Sequence, residues 1–162
     1  MHSASSQYIA LERLESTYKA CNYVGNICVH ATPEAKQPIA IIIPHEVNLR
    51  HALQVSSSNK VGPVDHTLGL TDLCHDQTVK DLVLKACNAI GKKNGFKTME
   101  ILQAVILTPD EWTPESGLVT AAQKIQRGKI AKKFEVEIKV CSADLWLLCV
   151  ADLPLCASVG GV

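Results

Sequence analysis

The sequence predicts an α+β domain in which helices flank a small sheet of about three strands, followed by an irregular C-terminal tail. Three short runs rich in β-branched and small apolar residues, at 24–31, 38–43 and 101–107, have the length and composition of strands. Patterns in which apolar residues recur three or four positions apart precede and separate these runs, as helices do. With 162 residues, 47% of them hydrophobic, the chain is long enough for one domain with a core.

The elements follow one another with short connections. Their predicted order is helix 9–21, strand 24–31, strand 38–43, helix 45–55, loop 56–65, a helix through 79–90, strand 101–107, connector 108–117 and helix 121–139. The first helix is predicted because Leu11, Leu14 and Tyr18 share one face, with charged residues such as Glu15 around them. The strand at 38–43 is nearly continuous in isoleucine, which is typical of a strand buried on both faces.

Charge and cysteine content exclude several classes of protein. Sixteen basic and sixteen acidic residues cancel, so no overall field draws the chain to nucleic acid or anionic lipid. Seven cysteines without a CxxC pair favour reduced, mostly buried thiols over a disulfide framework. Cys74 and His75 are a single adjacent pair, short of the four ligands of a structural zinc site, so no metal site is predicted. The first seven residues lack the pattern of a signal peptide.

The tail, residues 140–162, is apolar but carries Asp144, Asp152 and Pro154. Its longest charge-free stretch, 153–162, is shorter than the ~20 residues that a membrane-spanning helix needs. An aspartate in mid-membrane costs about 2.5–3.5 kcal/mol on insertion scales. The sequence therefore predicts a poorly ordered extension here.

The chemically most informative segment is Gly117-Leu-Val-Thr-Ala-Ala-Gln-Lys-Ile-Gln-Arg127. A turn delivers Thr120 and then Lys124, whose ammonium group can reach a phosphate or carboxylate oxygen. On spacing alone, a solvated helix face is the favoured explanation of the segment. Six basic and two acidic residues between 120 and 140 leave open a helix that binds RNA or anionic lipid. Phe134 is the single aromatic residue there, which disfavours nucleic acid.

Several segments together resemble the C-terminal part of long-chain fatty acyl-CoA synthetases of the fungal type, which are adenylate-forming enzymes. The resemblance runs from about residue 8 to residue 139. The matching segments are 8–15, 25–30, 36–44, 89–97 and 107–124. The last, Leu107-Thr-Pro-Asp-Glu-Trp-Thr-Pro-Glu-Ser-Gly-Leu-Val-Thr-Ala-Ala-Gln-Lys124, is the most specific.

The resemblance implies a two-step reaction. A large N-terminal domain binds ATP and fatty acid, and a mobile C-terminal cap closes over it to form acyl-AMP. The cap then rotates, and CoA attacks the acyl-AMP. In the family, a lysine of the late motif reaches the active site during adenylation. The matching residue here is Lys124, with Thr120 and Arg127 as expected nucleotide contacts.

The same resemblance implies which parts of the enzyme are elsewhere. The family's phosphate-binding loop and acyl pocket have no counterpart here, so the sequence predicts a cap domain over 8–139 that is inactive alone and binds no cofactor alone. ATP, Mg²⁺ and CoA belong to the full-length family, and an N-terminal adenylation domain is the expected partner. A regulatory module that docks on such a domain is the alternative. The implied location is cytoplasmic, with peripheral contact to endoplasmic reticulum, lipid droplet or peroxisome membranes.

Overall fold

A computed structural model describes residues 10–31, 36–57 and 69–141. Within these ranges it contains five α-helices, one short 3-10 helix and three strands. In chain order they are α1 Leu11–Tyr18, β1 Val24–His30, β2 Ile39–Pro44, α2 Glu46–Ser57, α3 Leu70–His75, α4 Gln77–Lys93, the 3-10 helix Thr98–Glu100, β3 Ala104–Leu107 and α5 Arg127–Lys133. The predicted α+β class is confirmed, as are all three strands. Helix α3, which the sequence did not predict, is only six residues long.

The sheet has the order β1-β2-β3 and is mixed. β1 and β2 run antiparallel, as expected for neighbours joined by a short connection. β3 runs parallel to β2, which requires the long crossover that contains α2, α3 and α4. The register of β1 against β2 shifts between Val24 and Asn26. Gly25 lies at this shift, where a Cβ would come within 3.1 Å of the Ile43 carbonyl oxygen, so the strands approach too closely for a side chain.

Both faces of the sheet are buried, because the side chains of each strand alternate between two apolar clusters. Ala40 and Ile42 of β2 pack beneath the helices α1 to α4. Ile39 and Ile41 face the opposite cluster, which contains Ile130 of α5. The isoleucine run of β2 is therefore buried on both sides, as its composition predicts.

Helices α1 and α4 meet at an aromatic contact. The buried Tyr18 hydroxyl donates to the Glu100 carbonyl oxygen at 2.8 Å, and the Tyr18 ring lies edge-on to Phe96, with centroids 5.4 Å apart. Phe96 follows the end of α4, where Gly95 has a φ of +75° and the Phe96 N–H donates to the Gly91 carbonyl oxygen at 3.0 Å. This glycine-terminated helix end confirms the predicted stop of α4.

The predicted helix over 121–139 is only partly correct. Helix α5 begins at Arg127, a turn interrupts it at Phe134, and residues 135–141 are helical again. Residues 121–126 instead form a tight turn and the start of the helix cap. Ile130, Phe134 and Ile138 face the core, as the apolar spacing predicts.

Two sequence predictions concern residues outside the described ranges. The tail over 142–162 and the loop over 58–65 lie there, although residues 56 and 57, predicted as loop, are the last of α2. The proposed boundary between residues 139 and 140 stays a prediction. Among the described helices, none is both long enough and apolar enough to cross a membrane.

Candidate functional site: a lysine hairpin beside a buried ion pair

The predicted motif folds into a small hairpin that ends just before α5. Val119 and Ile125 pair as an isolated antiparallel bridge, and the Gln126 N–H donates to the Leu118 carbonyl oxygen at 2.9 Å. Leu118 and Val119 are buried in the cluster on the α5 side of the sheet. The base of the hairpin is therefore fixed to the core, while its tip, residues 121–124, is exposed.

Thr120 and Lys124 close the hairpin by hydrogen bonds in both directions. The Thr120 N–H donates to the Lys124 carbonyl oxygen at 2.9 Å, and the Lys124 N–H donates to Thr120 Oγ1 at 3.2 Å. Between them, Gln123 has a φ of +59°, the single positive value for a non-glycine residue in the described ranges. Such a conformation costs an L-residue about 1–2 kcal/mol, so the surrounding bonds impose it.

The Lys124 side chain points out of this rigid turn. The residue is exposed, and within the part of the chain that the structure describes its ammonium group forms no ion pair. Two lysines later in the chain do form ion pairs: Lys133 with Asp110 at 3.0 Å, and Lys139 with Glu135 at 2.6 Å. The hairpin thus presents an uncompensated positive charge on a backbone of fixed shape.

Arg127, the other predicted contact, has its guanidinium engaged within the domain. Its Nη2 lies 2.6 Å from Glu15 Oε2, and its Nη1 lies 3.8 Å from Glu12 Oε1. The second oxygen of Glu15, Oε1, accepts the Val29 N–H of β1 at 2.9 Å. One carboxylate of α1 therefore joins the first strand to the end of the lysine motif. Nucleotide contact by Arg127, like that by Thr120, stays a prediction.

Glu15 corrects the expectation for α1. The sequence placed it among the charged residues around the apolar face, but only 6% of the residue is exposed. The signal was present in the spacing, because Glu15 lies four positions after Leu11 and three before Tyr18, on the apolar stripe itself. A buried carboxylate on such a stripe requires a cation partner, and the sequence pattern alone did not identify that partner as Arg127.

The Cys28 thiol near this pair is buried and protonated at neutral pH. Burial, and to a smaller extent the Glu15 carboxylate, raise the pKa of Cys28 to about 12, while Arg127 acts in the opposite direction. Four buried cysteines are free thiols: Cys21, Cys28, Cys74 and Cys87. Within the described ranges no group of three or more His, Cys, Asp or Glu side chains could hold a metal ion.

Comparison with solved structures first shows which known fold the chain shares. The A domain of carboxylic acid reductase from Segniliparus rugosus, solved with AMP and a co-purified carboxylic acid, superposes with a TM-score of 0.65 and 20% identity, over 85% of this chain and 18% of that one. The adenylation domain of the carboxylate reductase from Mycobacterium chelonae gives a TM-score of 0.64 at 20% identity, over 83% of this chain and 18% of that one. The chain has the fold of one part of an adenylation domain.

Curated proteins with similar sequences then identify its homologues. Long-chain-fatty-acid–CoA ligase 1 of Schizosaccharomyces pombe is 40% identical over 140 residues, which are 86% of this chain and 20% of that protein. Long-chain-fatty-acid–CoA ligase 3 of Saccharomyces cerevisiae is 36% identical over 82% of this chain and 19% of its own length. No family model matches. The matched part of the chain is homologous to long-chain-fatty-acid–CoA ligases, and the chain spans about one fifth of the length of these relatives.

Proposed function

We propose that this chain is the cap of a long-chain-fatty-acid–CoA ligase and that Lys124 is its adenylation lysine. The observation that carries the proposal is the geometry of the hairpin, in which a rigid turn presents one exposed ammonium group that has no carboxylate partner among the described residues. The family relationship supplies the reaction, ATP-dependent activation of a fatty acid, and the motif supplies the position.

The proposed chemistry follows from charge. In adenylation, a fatty-acid carboxylate oxygen attacks the α-phosphorus of ATP, the bond to pyrophosphate breaks, and negative charge accumulates on the phosphate oxygens. An ammonium group 4 Å from such an oxygen contributes about 4 kcal/mol at an effective dielectric constant of 20. Because the contact strengthens as charge develops, it lowers the barrier rather than merely binding substrate.

The residues present fit an anionic partner on the open side of the hairpin. Thr120 holds the backbone of Lys124 with its own hydroxyl oxygen, so the turn needs no rearrangement to present the ammonium group. Preorganisation of this kind is what makes an electrostatic contact effective in catalysis. ATP, Mg²⁺ and the acyl chain would be held by an adenylation domain, and Lys124 would enter that site when the two domains close.

A grafted enzyme tests the proposal. This whole chain replaces the matched fifth of the S. pombe ligase, and acyl-AMP formation is followed with ATP, Mg²⁺ and palmitate. We expect K124A to lower the adenylation rate by about 10²–10³-fold, the loss typical of removing one preorganised charge-stabilising group. K132A, which removes an exposed lysine of α5, serves as the matched control and keeps the rate of the unsubstituted graft.

Two results would contradict the proposal. One is a K124A graft that adenylates palmitate as fast as the K132A graft. The other is adenylation by the chain alone, without any added adenylation domain, because it would show that the chain itself holds ATP and the acyl group. Mixing the chain with the S. pombe ligase lacking its matched fifth also tests the regulatory-module alternative, since such a module would bind without restoring turnover.

A further inference from the structure

We propose that Glu15 and Arg127 form a positioning pair that fixes the orientation of the Lys124 hairpin for adenylation. The inference rests on the proposed function of Lys124 and extends it to two residues that need not touch substrate. Its basis is a partly buried ion pair, with a buried Glu15 and a half-buried Arg127, that joins α1, β1 and the start of α5 across 112 positions of sequence.

The carboxylate of Glu15 is held from two directions. Its Oε2 accepts from Arg127 Nη2 at 2.6 Å, and its Oε1 accepts the Val29 N–H at 2.9 Å. The side chain is only 8% exposed, so water does not compensate its charge. Val29 belongs to β1, an edge strand of the sheet, so the bond from its N–H also connects the ion pair directly to the sheet.

Arg127 transmits this position to the hairpin through the backbone. It is the first residue of α5 and follows Gln126, whose N–H is bound to the Leu118 carbonyl oxygen at 2.9 Å. The preceding residue, Ile125, pairs with Val119. Lys124 is therefore three residues from Arg127, and both residues between them are paired through their backbone with the first strand of the hairpin.

The same contacts argue against a direct role of Arg127 at the nucleotide. Its Nε is buried and has no hydrogen-bond partner among the described residues, so that nitrogen is closed to an incoming phosphate. Turning the head group outward would leave the Glu15 carboxylate buried without its cation, which is strongly unfavourable. Glu12 is 78% exposed and contributes little to the pairing.

Measuring the two half-reactions separately distinguishes a displaced Lys124 from a general loss of folding. In the graft described above, adenylation is measured as acyl-AMP formation, and the second step as CoA attack on supplied palmitoyl-AMP. Displacement of a catalytic group by about 1 Å can cost 10²-fold, so we expect R127M and E15Q each to slow adenylation by about that factor. The second step, which does not use the Lys124 ammonium group, keeps its rate in both variants.

Coupling and rescue identify the pair as one unit. The double variant E15Q/R127M should adenylate no more slowly than either single variant, because each change already removes the interaction. R127K should recover part of the rate, since lysine keeps the charge but not the forked geometry. K133M is the matched control, because it breaks the exposed pair with Asp110 and leaves both half-reactions unchanged.

A measurement on the chain itself does not depend on the graft folding. Amide hydrogen exchange should become faster at Gln123 and Lys124 in R127M, while β2 stays protected. Unchanged exchange at the hairpin would overturn the inference, as would equal losses in both half-reactions or a slow R127M beside a fully active E15Q. If instead K124A itself adenylates normally, the proposed function fails, whereas normal E15Q and R127M beside an inactive K124A refute the positioning pair alone.

Discussion

Gly91 allows a direct comparison of packing against helix propensity. Replacing a helical glycine by alanine stabilises a helix by about 0.5–1 kcal/mol when the new methyl group has room. At Gly91 it has none, because a Cβ would lie 3.0 Å from Phe96 Cδ2, 3.0 Å from the Tyr18 hydroxyl oxygen and 3.2 Å from Tyr18 Cε1. G91A therefore tests whether the contact between Tyr18 and Phe96 is too rigid to accommodate an added methyl group.

Moving the neighbouring atoms of Tyr18 and Phe96 away from the new methyl group would cost free energy. Tyr18 is fully buried, its hydroxyl is bound to the Glu100 carbonyl oxygen at 2.8 Å, and its ring packs edge-on against Phe96. Overpacking such a site costs about 1–3 kcal/mol, which exceeds the gain in helix propensity. We expect G91A to lower the free energy of unfolding by about 1 kcal/mol, or the Tm by about 3 °C.

Gly128 provides the matched control. It is exposed in α5, and no heavy atom lies within 4 Å of the position its Cβ would take. G128A should therefore raise the free energy of unfolding by about 0.5–1 kcal/mol. Urea unfolding followed by tryptophan fluorescence, to which the buried Trp112 contributes, measures both changes on the same scale.

Measuring G91A in a Y18F variant tests whether the Tyr18 hydroxyl causes the clash. Y18F removes the hydroxyl oxygen that lies 3.0 Å from the new Cβ, so G91A should cost less in Y18F than in the parent chain. A G91A variant that is as stable as the parent or more stable, beside a stabilised G128A, would refute the reasoning. An undiminished cost in Y18F would leave the ring carbons of Phe96 and of residue 18 as the source of the clash and refute the role of the hydroxyl.

Two further predictions concern polar groups. N88A should cost about 1–3 kcal/mol, because the Asn88 side chain pairs with both the N–H and the carbonyl oxygen of Leu102, each at 3.0 Å, and both would lose their partner. C28V should flatten the loss of stability at high pH. Burial raises the Cys28 pKa from 9.0 to about 12, so the folded state holds the proton longer, and the stability present below pH 9 is lost as pH rises from 9 towards 12.

One further variant tests the Asn88 prediction, and a pH profile tests the Cys28 prediction. N88D keeps the acceptor for the Leu102 N–H and loses the donor, so its stability in urea should fall between those of N88A and the parent. Equal stability of all three would contradict the prediction. For Cys28, the parent should lose about 1.4 kcal/mol more than C28V between neutral pH and pH 10. Identical pH profiles of the two proteins would show that the thiol is not protected by burial.

Much of the fold follows from local pattern. The continuous isoleucines of β2 predicted a strand buried on both faces, and the stripe from Val79 to Ile90 predicted α4 because its period matches one helix face. The stop of α4 followed from Gly95, which adopts the positive φ that glycine permits. Such features depend on contacts between residues close in sequence, so a single sequence is enough to predict them.

The sequence by itself determined the strands, the principal helices and the motif that contains Lys124, together with the family that the motif resembles. Only the tertiary structure decided that β3 joins β2 in parallel, that residues 121–126 form a hairpin rather than helix, and that Glu15 binds Arg127. The physical reason is distance along the chain. The spacing in α1 places Glu15 on the apolar stripe, but no local pattern identifies its partner at position 127, because that pairing depends on how distant parts of the chain pack.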